Sequence, residues 1–317
     1  STPSNSSAAS DVYKRQLEYR EEDLDQEIWD FCYQHWCYPD DRVYDALVGF
    51  IKNTWIVEKW NVACYLIIIG MKGTGKTWLL EILEQLCFKG FKTGNISPRS
   101  VANLTDKYHL TLLIDESQIL TSEDKVEMVS MINSGQRRGD PYVRAKKVGD
   151  SLTNDVETLD VFGWKAIAGT KELAETIQDR GIVLKTLYPH RETRKNIDRK
   201  WAFELRRKLL KYRMDNVSLE DCARIYTPLG EYDFSDTEEI KQIFPVERNV
   251  SPRFNEIFYP IWKVAPNKER LIQFGLDLYH VKMLTEKQSF EAQLIDCLLY
   301  TSPSPRDLST SRMPSSA

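Results

Sequence analysis

The chain has 317 residues, enough for a full α/β core and a smaller second unit. Hydrophobic residues make up 42% and charged residues 28%, and the net charge of −4 excludes a surface that is basic overall. Six cysteines without CxxC spacing predict helix packing rather than a zinc site, and their scatter, without a signal peptide, favours a cytoplasmic protein. The longest apolar run, Ala63 to Ile69, is too short to span a membrane.

Both ends of the chain differ in composition from the middle. Residues 1–16 and 300–317 are rich in Ser and Pro and have almost no apolar periodicity, which predicts disordered tails. A second interpretation is that stretches 11–16 and 301–307 resemble translated read-through of a sequencing adapter, which makes both tails non-native. We exclude both tails from the fold prediction and expect the natural protein to continue at both ends.

Residues 17–60 are predicted to form a helical lead-in. Apolar and aromatic residues recur at helical spacing from Glu21 to Tyr38. A second helix is predicted to run from Asp40, a favoured N-cap residue, to Trp55. The aromatic side chains of this region are typical of packing between helices.

Residues 61–190 are predicted to form an α/β core. A β-branched strand at 65–69 leads through a glycine-rich turn into a helix at 77–88, and a second strand covers 110–114. Strands and helices alternate, which predicts a parallel sheet with helices on both faces.

The glycine-rich turn at 70–77 satisfies the pattern GxxxxGK[ST] between a strand and a helix. Such a loop directs backbone N–H groups at phosphates, and the helix N-terminus adds partial positive charge. The predicted ligand is ATP with Mg²⁺, where Lys76 contacts the β- and γ-phosphates and the Thr77 hydroxyl is a magnesium ligand. The predicted nucleotide-binding residues are Gly70, Lys72, Gly73, Thr74, Gly75, Lys76, Thr77 and Trp78.

Two acidic residues, Asp115 and Glu116, follow the second strand. At the carboxyl end of a buried strand, Asp115 is expected to lie beside the phosphate loop and to hold the magnesium ion. Glu116 is expected to polarise the attacking water as a general base, which favours hydrolysis over phosphoryl transfer to a small molecule. The alternative is a strand that ends in two solvated acids.

Two further residues are candidates for catalysis, and each has two interpretations. Thr170 ends a predicted strand at 165–170. Its hydroxyl contacts the attacking water or γ-phosphate, serves as N-cap for a helix that begins near Lys171, or does both. Arg180 precedes a further predicted strand at 182–187. It either reaches the ATP of a neighbouring subunit or forms a surface salt bridge.

A β-hairpin is predicted as an insert at 141–162, before the Thr170 strand. Basic side chains on and before its first arm suit contacts with a phosphate backbone. They are Arg137, Arg138, Arg144, Lys146 and Lys147. A solvated hairpin is the simpler alternative, and charge alone favours it.

Six stretches of sequence together carry a family resemblance. They are 65–70 with 75–77, 112–116, 133–139, 162–169, 179–182 and 253–260. Through them the region from Tyr44 to Pro260 resembles the ATPase module of archaeal, plasmid and phage replication proteins, often associated with a primase. That family is related to superfamily 3 and AAA+ helicases.

The resemblance implies a three-layer P-loop NTPase core of the AAA+/ASCE type with α-helical flanks at both ends. It implies a homo-oligomeric ring in which Arg180 acts between subunits and the hairpin lines a channel for single-stranded DNA. A primase is the implied partner. Catalysis would depend on Lys76, Glu116, Thr170 and Arg180. The sequence departs from the family at Gly181, where Ser or Cys is frequent.

Residues 191–299 are predicted to be mainly helical. An amphipathic helix is expected from Arg191 to Met214, a helical region from Ser251 to Leu284, and the start of a further domain at 286–299. The sequence as a whole predicts a DNA-dependent ATPase, a replicative helicase motor. Two alternatives of the same fold are an ATP-driven protein remodeller and a nucleotide-gated switch.

Overall fold

The computed structural model describes residues 19–93, 96–115, 122–148, 151–171, 173–225 and 239–301. Its helices are α1 (Glu21–His35), α2 (Arg42–Trp55), α3 (Lys76–Leu86), α4 (Pro98–Tyr108), α5 (Ser122–Ser134), α6 (Glu175–Gln178), α7 (Arg199–Asn216), α8 (Leu219–Ile225), α9 (Pro252–Val264) and α10 (Lys268–Thr301). Its strands are β1 (Tyr65–Gly70), β2 (Gly90–Thr93), β3 (Thr111–Asp115), β4 (Tyr142–Val148), β5 (Ser151–Leu159), β6 (Lys165–Gly169) and β7 (Gly181–Thr186).

Five strands form one parallel sheet in the order β2-β3-β6-β1-β7. The register pairs Ile69 of β1 with Gly169 of β6 and with Lys185 of β7, and it pairs Asp115 of β3 with Ala168 of β6. The carboxyl ends of β1, β3, β6 and β7 therefore meet at one edge of the sheet. The prediction of a parallel α/β core is confirmed.

The central strands are buried because their sequences are almost continuously apolar, as expected for a sheet covered by helices on its faces. Every residue of β3 and β6 is buried, and so are the first five residues of β1. Helix α3 packs on four of the strands, β1, β2, β3 and β6. A rigid sheet thus fixes the start of α3 and the loop that precedes it.

The helical lead-in is present, with shorter helices than the sequence predicted. Helix α1 ends at His35 because Trp36 has extended backbone angles, and Pro39 disfavours helical geometry in the residue before it. Helix α2 begins at Arg42 rather than directly after Asp40. The carboxylate of Asp40 accepts the backbone N–H of Arg42 at 2.9 Å and so stabilises this turn.

The C-terminal region is helical, but the predicted helix from Arg191 is wrong in its start. Helix α7 begins at Arg199, because the carboxylate of Asp198 accepts the backbone N–H of Trp201 at 3.1 Å and caps the first turn. Arg191 instead donates to the carbonyl oxygen of Trp36 at 2.6 Å. Residues 286–299, predicted to start a further domain, continue helix α10.

Strands β4 and β5 form the predicted hairpin as a separate antiparallel pair. The register shifts between the pair of Ala145 with Val156 and the pair of Lys147 with Leu152, so the irregularity places extra residues in the second arm, β5. Among the described residues, no helix combines the length and the apolar character that crossing a membrane requires.

Candidate functional site

The glycine-rich loop connects the carboxyl end of β1 to the N-terminus of α3 at the edge of the sheet. Gly73 and Gly75 both have φ of 83°, a left-handed conformation that side chains disfavour. Gly75 is the N-cap of α3, and its carbonyl oxygen accepts the N–H of Leu79 at 2.9 Å. The first turn of an eleven-residue helix, with its unpaired N–H groups, therefore faces the loop.

The side chain of Lys76 folds back over this loop. Its ammonium group donates to the carbonyl oxygens of Gly70 at 2.7 Å and Met71 at 2.6 Å. Burial lowers the pKa of Lys76, and the nearby carboxylate of Asp115 opposes that shift. A bound polyphosphate would favour the charged form still more strongly, because its oxygens carry several negative charges.

The predicted magnesium ligands meet at the same edge of the sheet. The hydroxyl of Thr77, in the first turn of α3, donates to Oδ2 of Asp115 at 2.8 Å. Asp115 is the last residue of β3 and is 6% exposed. A hydroxyl and a carboxylate are hard oxygen donors of the kind that Mg²⁺ takes, usually alongside water and phosphate oxygens. The donor set fits a magnesium ion.

Thr186 of β7, which was not among the predicted site residues, contacts the loop from the other side. The hydroxyl of Thr74 donates to that of Thr186 at 2.7 Å and lies 2.9 Å from the carbonyl oxygen of Met71. Thr186 donates to the carbonyl oxygen of Ile69 at 3.2 Å. Both threonines are buried. The one available sequence signal was the position of Thr186 at the carboxyl end of a predicted strand.

Thr170 lies at this edge too, directly after Gly169 of β6, and it is exposed. The alternative role as a helix N-cap is wrong, because α6 begins at Glu175 and is preceded by Ala174. Glu116, the predicted general base, lies outside the described residues. Its predicted role therefore depends on its place in the sequence, one residue after Asp115.

Arg180 lies at the opposite edge of the sheet. Its carbonyl oxygen accepts the N–H of Tyr65, the first residue of β1, whereas the loop follows Gly70 at the far end. Five residues of strand separate the two edges by about 17 Å. Arg180 therefore does not reach the loop of its own chain. Gly181 is explained by packing, since a methyl group built there would lie 2.1 Å from the carbonyl oxygen of Tyr65.

The surroundings of Arg180 hold it in place. Its guanidinium donates to the carbonyl oxygen of Thr176, and burial together with the nearby Arg253 lowers its pKa. Arg253 donates to Oε1 of Gln136 at 2.7 Å and to the carbonyl oxygen of Asp179 at 3.2 Å. Residues that carried the family resemblance outside the loop thus form a second cluster at this edge.

Three arginines of the predicted DNA-binding patch contact other parts of the protein. Arg138, predicted to contact DNA, is 7% exposed and donates to the carbonyl oxygen of Val57 at 2.9 Å. Arg137 donates to both carboxylate oxygens of Glu256 at 2.6 Å. The guanidinium of Arg144 likewise forms an ion pair, with a distance of 2.7 Å between its Nη2 and Oε2 of Glu157.

The other two members of that patch, Lys146 and Lys147, lie on β4. Their side chains are outside the described part of the structure.

Aromatic residues surround the loop on the side of β7. Trp36 is 2% exposed, and its indole nitrogen would lie 3.3 Å from a methyl group built on Gly75. Tyr188 is 63% exposed, and its ring would lie 3.7 Å from a methyl group built on Gly73. Trp78, which was predicted to bind nucleotide, donates through its indole to the carbonyl oxygen of His35 at 2.7 Å. Its side chain thus anchors α1 to the start of α3.

The chain matches no known protein-family model and no curated protein sequence. The geometry of the loop and its neighbours is therefore the basis for a functional assignment.

Proposed function

We propose that the chain binds ATP with magnesium at the loop between β1 and α3 and hydrolyses it. One observation carries the proposal, the contact of 2.8 Å between the Thr77 hydroxyl and the Asp115 carboxylate. It joins a magnesium-type donor pair to a loop whose left-handed glycines and helix N-terminus suit phosphate. This arrangement supports the assignment of the loop as a P-loop nucleotide site.

In this proposal each residue of the loop has a separate task. The backbone N–H groups of the loop bind phosphate oxygens, and the ammonium of Lys76 turns from the carbonyl oxygens of Gly70 and Met71 to the phosphates. Thr77 and Asp115 would hold magnesium, which neutralises phosphate charge when it is bound. Glu116 accepts a proton from the attacking water, and Thr170 orients that water or the γ-phosphate.

We further propose that the chain works as a DNA-dependent motor of the helicase type, in a ring of identical subunits. Two features support this. Arg180 lies about 17 Å from the loop of its own chain, which agrees with a role at the nucleotide of a neighbouring subunit rather than its own. The antiparallel hairpin β4–β5 is separate from the main sheet and carries the lysines of the predicted patch.

A second candidate function is ATP-driven remodelling of a protein partner. The engagement of Arg137, Arg138 and Arg144 within the chain favours it, because charges that are paired or buried offer less to a phosphate backbone.

Steady-state ATP turnover by the full chain, with and without single-stranded DNA at two salt concentrations, separates the two candidates. A motor that holds the phosphate backbone shows severalfold stimulation that fades as salt rises. Turnover that is indifferent to DNA favours the remodeller.

The variant Glu116→Gln should bind ATP and turn it over at least about a hundredfold more slowly than the wild type. Near-normal turnover would exclude Glu116 as the base. Changing Lys146 and Lys147 to Ala should remove the stimulation and leave basal turnover unchanged.

A further inference from the structure

The two sides of the glycine-rich loop differ in chemistry. On the side of β3 the loop presents the Thr77 hydroxyl and the Asp115 carboxylate. On the side of β7 it is bordered by Trp36 and Tyr188. In the sheet, β3 and β7 lie on opposite sides of β1, from which the loop starts. A ligand that crosses the loop thus meets oxygen donors at one end and aromatic rings at the other.

The position of the metal donors orients a nucleoside triphosphate on this loop. Thr77 and Asp115 would hold magnesium, and a magnesium ion there would draw the terminal phosphates of a nucleotide toward these two residues. The α-phosphate and the nucleoside then leave the loop on the opposite side. That side is the aromatic one.

Tyr188 has the properties of a platform for a base. Its ring is 63% exposed although it lies beside Gly73 of the loop, where a built methyl group would be 3.7 Å away. Exposed aromatic faces next to a phosphate site stack on bases of any sequence, because every base has a π-face. Tyr188 follows β7 directly after Thr186 and Leu187, so the end of that strand fixes its backbone.

Trp36 supplies the second feature, a buried hydrogen-bond donor. Its side chain is 2% exposed, and its indole N–H has no acceptor among the described residues. Four other buried indole nitrogens in that part of the chain also lack a hydrogen-bond partner, those of Trp29, Trp60, Trp164 and Trp262. The indole edge of Trp36, however, faces Gly75 of the loop. A buried polar group without a partner costs stability, which a ligand atom at this position would restore.

We propose that Tyr188 and Trp36 form the nucleoside subsite of this loop, with the base stacked on Tyr188 and the Trp36 indole donating a hydrogen bond to the nucleoside. The proposal rests on the proposed ATP site and assigns the residues of that site that contact the nucleoside. The ribose and base would thus be held by the segments that follow α1 and β7, and the triphosphate by the loop itself.

The test compares ATP with inorganic tripolyphosphate, both with magnesium, by titration calorimetry on the full chain. Tyr188→Ala should weaken ATP binding about tenfold, in the range of one lost stacking contact, and leave tripolyphosphate binding unchanged. Tyr188→Phe keeps the ring and should bind ATP like the wild type. Phe203→Ala, a matched exposed aromatic on α7 at 61% exposure, should change neither ligand.

Trp36→Phe keeps most of the ring and removes the donor, and it should weaken ATP binding about fivefold without affecting tripolyphosphate. Trp60→Phe is its buried control. The subsite is contradicted if Tyr188→Ala or Trp36→Phe binds ATP as the wild type does, or loses both ligands equally, while Lys76→Ala still abolishes binding. A wild-type chain that binds neither ligand would instead overturn the ATP site itself and the subsite with it.

Discussion

Among the predicted site residues, Asp115 has the burial and the hydrogen bond that best suit its predicted role as a magnesium ligand. It ends a fully buried strand, it is 6% exposed, and it accepts a hydrogen bond from Thr77 across the gap between β3 and α3. A carboxylate in that position is fixed by the sheet rather than by a loop, so it would be a rigid ligand for a metal ion.

Asp115→Asn should raise the magnesium concentration needed for half-maximal ATP turnover by about tenfold or more, because an amide is a neutral and weaker ligand. Asp30→Asn on α1 is the matched control. Turnover measured against magnesium concentration checks the prediction. A variant with the magnesium dependence of the wild type would remove Asp115 from the metal site.

Lys165 is a buried lysine at the other edge of the sheet. Its ammonium donates to the carbonyl oxygens of Gly135, Val161 and Gly163 at 2.9–3.1 Å and lies over the ring of Tyr65. It therefore joins the end of α5 to the base of the hairpin. Burial lowers its pKa to about 7.

Lys165→Met should lower the free energy of unfolding by about 3 kcal/mol, because the buried carbonyls of Val161 and Gly163 lose their donor, whereas that of Gly135 keeps the N–H of Gly163. The loss should depend on pH. Between the folded pKa of about 7 and the ordinary value of 10.5, the unfolded chain binds more protons at Lys165 than the folded chain does. Wild-type stability therefore gains up to about 1.4 kcal/mol per pH unit as pH rises through this window, and the variant lacks that gain.

Urea unfolding at pH 6.5 and pH 8.5 measures the difference in free energy of unfolding between the wild type and Lys165→Met. The contributions of groups that titrate alike in both proteins cancel in this difference. We expect a larger loss at pH 8.5. An equal loss at both pH values, or a larger one at pH 6.5, would contradict the lowered pKa of Lys165.

At the scale of secondary structure, β7 connects the two clusters of the molecule. It starts after Arg180 at one edge of the sheet and ends at Thr186, whose hydroxyl contacts Thr74 in the loop at 2.7 Å. A shift of this strand would move both ends together, since β7 is paired along its whole length with β1.

Thr186→Val keeps the shape of the side chain and removes the hydroxyl. It should raise the KM for ATP about threefold to tenfold, because Thr74 loses a buried partner that fixes the loop, whereas Thr186→Ser should restore the wild-type KM. Steady-state kinetics and melting temperatures of the three proteins check this. If the Val variant has the KM of the wild type, Thr186 does not position the loop.

The sequence predicted the elements with strong patterns and missed those without. Strands β1, β3 and β6 are continuous apolar runs, and their positions were predicted to within one residue. Strand β2 was not predicted, since its four residues, Gly90–Thr93, are mostly half-buried and have no alternation. The predicted start of α7 was wrong because a Lys- and Arg-rich segment matches a helix in composition, whereas the start depends on the cap at Asp198.

For the molecule as a whole, the motif predicted the position and geometry of the glycine-rich loop but not the aromatic residues beside it. GxxxxGK[ST] fixes the loop through local backbone geometry, which a single stretch of sequence determines. Trp36, Thr186 and Tyr188 reach the loop from chain positions far away from it, and contacts of that kind depend on packing. The same reason explains why Arg138 was mistaken for a surface residue, since its burial depends on Val57 and Trp60.

The most direct test of the central claim is calorimetric titration of the full chain with ATP and magnesium, for the wild type and Lys76→Ala. We predict that the wild type binds and that Lys76→Ala binds at least about a hundredfold more weakly, because the charge-assisted contacts of the ammonium with phosphate are lost. Lys195→Ala, which removes an exposed lysine outside the site, should bind like the wild type. Equal affinity of the wild type and Lys76→Ala, or no binding by the wild type, would contradict the nucleotide site.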